Sequence, residues 1–213
     1  MKRPRLAAIP FALALFLLGA VLASSASATT PQWIIEGKAL SGAEPLAKST
    51  TVTETFAIKT AVAGTSLKVA CTSMSLPSSK IEGERTRVDS PFEMEGCTFT
   101  GPPSCSVPAS FPLKSLTSTL EGTAGAFKLK FAPTSGSLVM TIAVSGAGCG
   151  IAGSLEISGT MSCNYPGVET EAVNHTLEFS LTSGTELKHG SEKVTLTGKD
   201  EFWLSTSKKW KVA

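Results

Sequence analysis

AFKLKFAPTSGSLVMTIAV, residues 126–144, sets the fold class. In its first half Phe127, Leu129 and Phe131 share one side of a period-two run, and Lys128 and Lys130 share the other. In its second half Leu138, Met140, Ile142 and Val144 alternate with smaller or more polar neighbours. Alternation of this kind is the mark of strands that bury one face and wet the other, as antiparallel sheets do. The pattern extends outward in both directions. HTLEFSL, residues 175–181, puts Leu177, Phe179 and Leu181 opposite Glu178, and KVTLTG, residues 193–198, repeats the arrangement with Val194 and Leu196. Further candidate strands are 32–36, 51–59, 66–72, 92–99, 113–121, 152–162 and 200–205. Turn residues recur every ten or so positions, and helical periodicity is nearly absent after residue 30. Parallel crossovers would need helical connections, and none is visible. The expectation is an all-β, antiparallel sandwich or barrel. WIIEGKALSG (33–42) and SLTSGTELKHG (180–190) echo each other, which the restricted chemistry of turns explains.

The start of the chain differs. Lys2, Arg3 and Arg5 precede an apolar run from Phe11 to Ala23, and Ala26-Ser27-Ala28 offers small residues for cleavage. This reads as a secretory signal-peptide helix over 1–28, followed by a single β domain over 29–213. The run is too short to cross a hydrocarbon core of about 30 Å, which takes about 20 residues. Three of the 19 basic residues lie in the signal and none of the 17 acidic ones does, so the mature chain carries a formal charge of −1. That balance gives no electrostatic case for nucleic acid or an anionic membrane. The expected location is secreted or otherwise extracytoplasmic, with no transmembrane segment in the mature chain. Lys208-Lys209-Trp210-Lys211 reads as a solvated end.

Export makes disulfides the default state of the five cysteines, Cys71, Cys97, Cys105, Cys149 and Cys163. Zinc would need more ligands at short spacing than Cys97 and Cys105 provide, and neither His175 nor His189 lies near them in sequence. A redox pair would need Cys-x-x-Cys opening a helix. The expected pairs are Cys97–Cys105, a local staple across GCTFTGPPSC, and Cys71–Cys149. Cys163 is then the odd thiol, with Cys149–Cys163 as the main rival pairing. No metal and no cofactor is expected.

Other motifs dissolve on inspection. Gly148 to Gly153 satisfies G-x-G-x-x-G, but SLEISGTMS follows it where a dinucleotide site needs a helix. No G-x-S-x-G elbow accompanies the serines, and both histidines read as surface residues. Glu82/Glu84 and Glu93/Glu95 alternate, so each pair shares a face. A spatial carboxylate pair of the glycosidase kind stays open. Asn174-His175-Thr176 fits a glycosylation sequon. Trp33, Trp203 and Trp210 are the candidates for stacking on a ligand, against ordinary packing.

The whole mature layout resembles a group of small secreted β-rich proteins of uncharacterised function from high-GC actinobacteria. The shared features are Trp33 with Gly37 and Leu40, Val69-x-Cys71, Phe92-x-x-x-Gly96-Cys97 with Cys105, a glycine-rich segment around Cys149, and a closing Gly-x-x-Leu then Trp. The resemblance implies a secreted β-rich protein and carries no activity with it. The leading expectation is a disulfide-stapled, non-enzymatic β protein with a structural or interaction role at the cell envelope or beyond. Its partner would be an envelope polymer or protein. The alternatives are a carbohydrate-binding module and a glycoside hydrolase-like enzyme.

Overall fold

The computed structural model describes residues 30–47, 51–83, 85–89, 92–180 and 186–213, with only the backbone described for 51–53 and 89. The signal segment 1–28 lies outside these residues, as do Glu84 and Leu181. The described chain contains strands, turns and bends but no helix. In chain order the strands are β1 (Trp33–Ile35), β2 (Lys38–Ala39), β3 (Ala43–Pro45), β4 (Thr51–Val62), β5 (Thr65–Cys71), β6 (Ser73–Ser75) and β7 (Lys80–Glu82). Next come β8 (Thr86–Asp89), β9 (Glu93–Glu95), β10 (Thr98–Thr100), β11 (Phe111–Pro112), β12 (Leu116–Glu121), β13 (Lys128–Pro133) and β14 (Leu138–Val144). The last are β15 (Gly153–Ser158), β16 (Met161–Asn164), β17 (Asn174–Phe179), β18 (Leu187–His189), β19 (Glu192–Trp203) and β20 (Trp210–Val212).

All pairings of these strands are antiparallel. One long sheet runs β10-β5-β4-β19-β17-β16-β13-β12-β8-β7-β3, with β14, β15 and β18 attached through β19. Two small sheets, β2-β1-β20 and β11-β9-β6, complete the molecule. The long sheet cannot be flat. Arg87 on β8 and Phe202 on β19 are five strand spacings apart, about 24 Å in a plane, yet the guanidinium carbon lies 4.9 Å from the Phe202 ring. The sheet therefore curls until its inner faces meet. Its terminal strands β10 and β3 do not pair with each other, so the sandwich-like wrap stays open and is not a closed barrel.

The 12-residue strands β4 and β19 form the spine. β4 turns into β5 through Ala63-Gly64, both at positive φ, 49° and 78°. That is the type I′ pattern, whose twist matches the flanking strands. Along β19 every second residue from Val194 to Phe202 is buried, Gly198 among them, and beside Gly198 the register with β4 shifts. A Cβ at Gly198 would lie 2.9 Å from the Phe56 Cα, so the missing side chain is what lets Phe56 pack against the bend.

Period-two reasoning holds closely in β13, where Leu129 and Phe131 are buried and Lys130 is exposed. It fails at one place in β14. A bulge between Leu138 and Met140 turns Val139 inward beside Met140 and leaves Leu138 half-buried. Two boundaries also change. The expected strand 92–99 breaks at Gly96-Cys97 into β9 and β10, which join different sheets, and 152–162 splits at Gly159 into β15 and β16. Conversely, 193–198 and 200–205 merge into β19.

The first and last described strands pair as β1–β20, and beside them Gln32 N donates to Ala213 O at 2.9 Å. Above it lies an aromatic cluster. Trp33 and Trp210 are 5.6 Å apart edge-on, Phe202 lies 5.4 Å from Trp210, and Tyr165 stacks on Phe202 at 5.6 Å. His175 sits 4.1 Å from Trp210. The expectation that His175 is a surface residue is wrong. It faces inward from β17, buried, with Nε2 2.7 Å from the Trp210 carbonyl, which makes Nε2 the protonated nitrogen.

Burial holds the His175 imidazole below the usual histidine range, against backbone hydrogen bonds to Trp210 and Ala172 that pull the other way. The unfolded chain, at about pH 6.5 for a free histidine, therefore takes up the proton before the folded one does. Stability should be full above that pH and fall as the pH drops through it toward the lower folded value. Thermal melts between pH 7.5 and 5 check this. Wild type should lose stability on acidification, and His175→Gln should flatten the change across this window.

Candidate functional site

The five cysteines fall into two disulfides and one thiol, but not in the expected pairing. Cys71 is bonded to Cys97 and Cys105 to Cys149, so both Cys97–Cys105 and Cys71–Cys149 are corrected. The reason lies in strand register. Thr98 on β10 pairs with Ala70 on β5, which carries Cys97 opposite Cys71 with Cα atoms 4.0 Å apart. The prolines do not draw Cys105 back toward Cys97. They turn the chain, with Cys105 N donating to Pro102 O, onto the loop after β14. There Ser106 and Ser145 exchange two backbone hydrogen bonds at 2.8 and 3.0 Å, and Ser104 Oγ donates to Gly148 O. That ladder brings Cys105 onto Cys149, with Cα atoms 4.9 Å apart.

Cys163 is the cysteine outside both bridges, as expected. It is buried, and its thiol donates weakly to the Leu129 carbonyl, with sulfur 3.8 Å from oxygen. The glycine-rich residues 146–152 make the β14–β15 connection through two successive turns, Cys149 N to Gly146 O and Ala152 N to Cys149 O. No helix follows them.

The tryptophans separate into two kinds. Trp33 and Trp210 are wholly buried, so they are core residues and not stacking platforms. Their indole N–H groups donate to Thr86 O at 3.3 Å and Val173 O at 3.1 Å, which satisfies the polar edge of each ring. Trp203 is half-exposed on the outer face of β19. Register places Asn174 opposite it, and Thr176 opposite Glu201, on the same outer face of β17 and β19. Further along, Lys199 Nζ lies 2.7 Å from Glu54 and 3.9 Å from Glu178.

Two recesses contrast in chemistry. A polar one of about 360 Å³ crosses β14, β15 and the β18 turn, lined by Ser137, Ser154, Glu156, Ser158 and His189. The three β15 residues share its outward face by alternation, and His189 Nδ1 donates to the Glu156 carbonyl at 3.1 Å. Sequence reasoning missed this site because its residues are scattered over 50 positions. The second recess is a small apolar cavity of about 20 Å³ between the spine strands and the β11-β9-β6 sheet. Met74, Met94, Met140 and Met161 line it, with Phe56, Phe92 and Phe179.

The carboxylate alternation is real in β9, where Glu93 and Glu95 face outward and Met94 inward. Glu95 accepts from Ser73 Oγ at 3.4 Å, and Glu82 is paired with Lys80 at 3.0 Å. Among the described residues no group of three or more His, Cys, Asp or Glu side chains could hold a metal ion. No helix of the described residues is long and apolar enough to cross a membrane. The chain matches no family model, no curated protein and no solved structure. Two disulfides in an all-β chain are the chemistry of an oxidising, extracytoplasmic environment.

Proposed function

We propose that the chain is a secreted, non-catalytic β protein that acts by binding or scaffolding at the cell envelope or outside the cell. The observation that carries this reading is the pair of disulfides. Each ties a loop-rich segment to the main sheet, Cys97 at the edge strand β10 and Cys105 at the β14–β15 loop. Such bridges favour a fixed surface outside the reducing cytosol. Its partner is an envelope polymer or protein. Co-sedimentation of the mature protein with isolated envelope polymer tests the reading. Retention of protein with intact polymer supports it, and turnover that releases soluble fragments would replace it with the glycosidase alternative.

A second reading, carbohydrate binding, has a specific basis in Trp203. It alone of the three tryptophans keeps an accessible face, and Asn174, Thr176 and Glu201 flank it with amide, hydroxyl and carboxylate groups. An aromatic face beside planar polar groups is what a sugar ring needs. The expected result on a glycan array is binding by wild type that Trp203→Ala reduces about tenfold or more, the size typical of an interfacial aromatic anchor. Flat signal with wild type removes this reading and leaves the first.

A further inference from the structure

Apart from Met1, the chain has four methionines, and all four line the same cavity. They arrive from four strands: Met74 on β6, Met94 on β9, Met140 on β14 and Met161 on β16. Met74 and Met94 are direct cross-strand partners. Side chains so placed have Cβ atoms about 4.5–5.5 Å apart. Met140 bridges to Leu113, which also lines the cavity. Three rotatable bonds then give each sulfur wide latitude in where it points.

Gap filling alone would scatter methionines wherever packing is irregular. Here the rest of the described core holds none, and all four methionines line the same 20 Å³ or so of space. That is room for one water or one ion, and no polar side chain lines it to hold a water. Thioether sulfur is a soft, neutral ligand that selects Cu(I), whereas magnesium and calcium require oxygen. Phe56, Phe92 and Phe179 also line the cavity, aromatic rings attract cations, and one positive charge is cheaper to bury than two.

We propose that this cavity binds a single Cu(I) ion through the thioether sulfurs of Met74, Met94, Met140 and Met161. Ag(I) is the redox-inert probe. The protein carries both disulfides, labelled methionine methyl groups and Cys163→Ser, which removes a competing buried thiol two residues from Met161. Titration with silver nitrate in chloride-free buffer should move all four methyl resonances together and saturate at one equivalent, while zinc leaves them unmoved. Met94→Leu with Met140→Leu conserves volume and apolarity, so the fold should persist, but silver affinity should fall about tenfold or more through loss of two soft ligands. Anaerobic competition against a chromogenic Cu(I) chelator should give the same ranking of variants. Unmoved methyl resonances would overturn the proposal. So would silver binding that Cys163→Ser abolishes, or binding that the double leucine variant leaves intact.

Discussion

Replacing Cys105 and Cys149 together with serine should lower stability by about 4 kcal/mol, and replacing Cys71 with Cys97 by about 3.5 kcal/mol. The loops closed span 44 and 26 residues, and closing a longer loop removes more entropy from the unfolded chain. The loops do not overlap in sequence, so the two effects should nearly add. Their sum, about 7–8 kcal/mol, is a large share of the 5–15 kcal/mol that holds a typical domain folded. Fully reduced protein should therefore sit close to its unfolding transition at ambient temperature. Each serine pair alone should lower the melting midpoint by about 10 °C for a domain of this size. Urea titrations of the two pair variants and of the reduced wild type check this. A loss under about 1 kcal/mol for either pair would mean that the neighbouring strand pairings already close that loop in the unfolded ensemble.

Trp210→Ala should cost about 3–5 kcal/mol, the range for deleting a large aromatic from a packed core. The indole touches Trp33, Tyr165, His175 and Phe202, and its N–H satisfies the Val173 carbonyl. It also anchors β20, which pairs with β1, the first described strand. The loss should thus include loosening of the small terminal sheet, visible as faster amide exchange at Ile34 and Lys211, which are register partners. Trp203→Ala is the matched control. Its ring is half-exposed, so the cost should stay within about 1 kcal/mol. Equal costs at the two positions would contradict the division of the tryptophans into core and surface.

Local pattern was enough to read the class of this fold. Lys130 outward between Leu129 and Phe131 is fixed by two neighbours on one strand, and any antiparallel partner preserves it. The same logic found β4, β5 and β17. It could not find what depends on distant register. Cys71 meets Cys97 only because β10 pairs with β5 across an intervening excursion through β6 to β9. A nine-residue proline loop looks locally more favourable for bridging, and nothing in GCTFTGPPSC reveals that residues 104–106 instead pair with 145–148. Burial of His175 was hidden for a related reason. Position within HTLEFSL puts it on the inward side with Leu177, but a histidine is accepted there only because Trp210 arrives from the chain's end to bond it. The methionine cavity likewise needs four strands spread over about 90 residues to converge. No spacing in the sequence encodes that.

The central claim, a β protein stapled by two disulfides for life outside the cytosol, is tested most directly by non-reducing peptide mapping of the exported protein after alkylation. The expected map joins the peptides holding Cys71 and Cys97, joins those holding Cys105 and Cys149, and finds Cys163 alkylated as a thiol once the protein is unfolded. Five alkylated cysteines, or a bridge between Cys97 and Cys105, would contradict it.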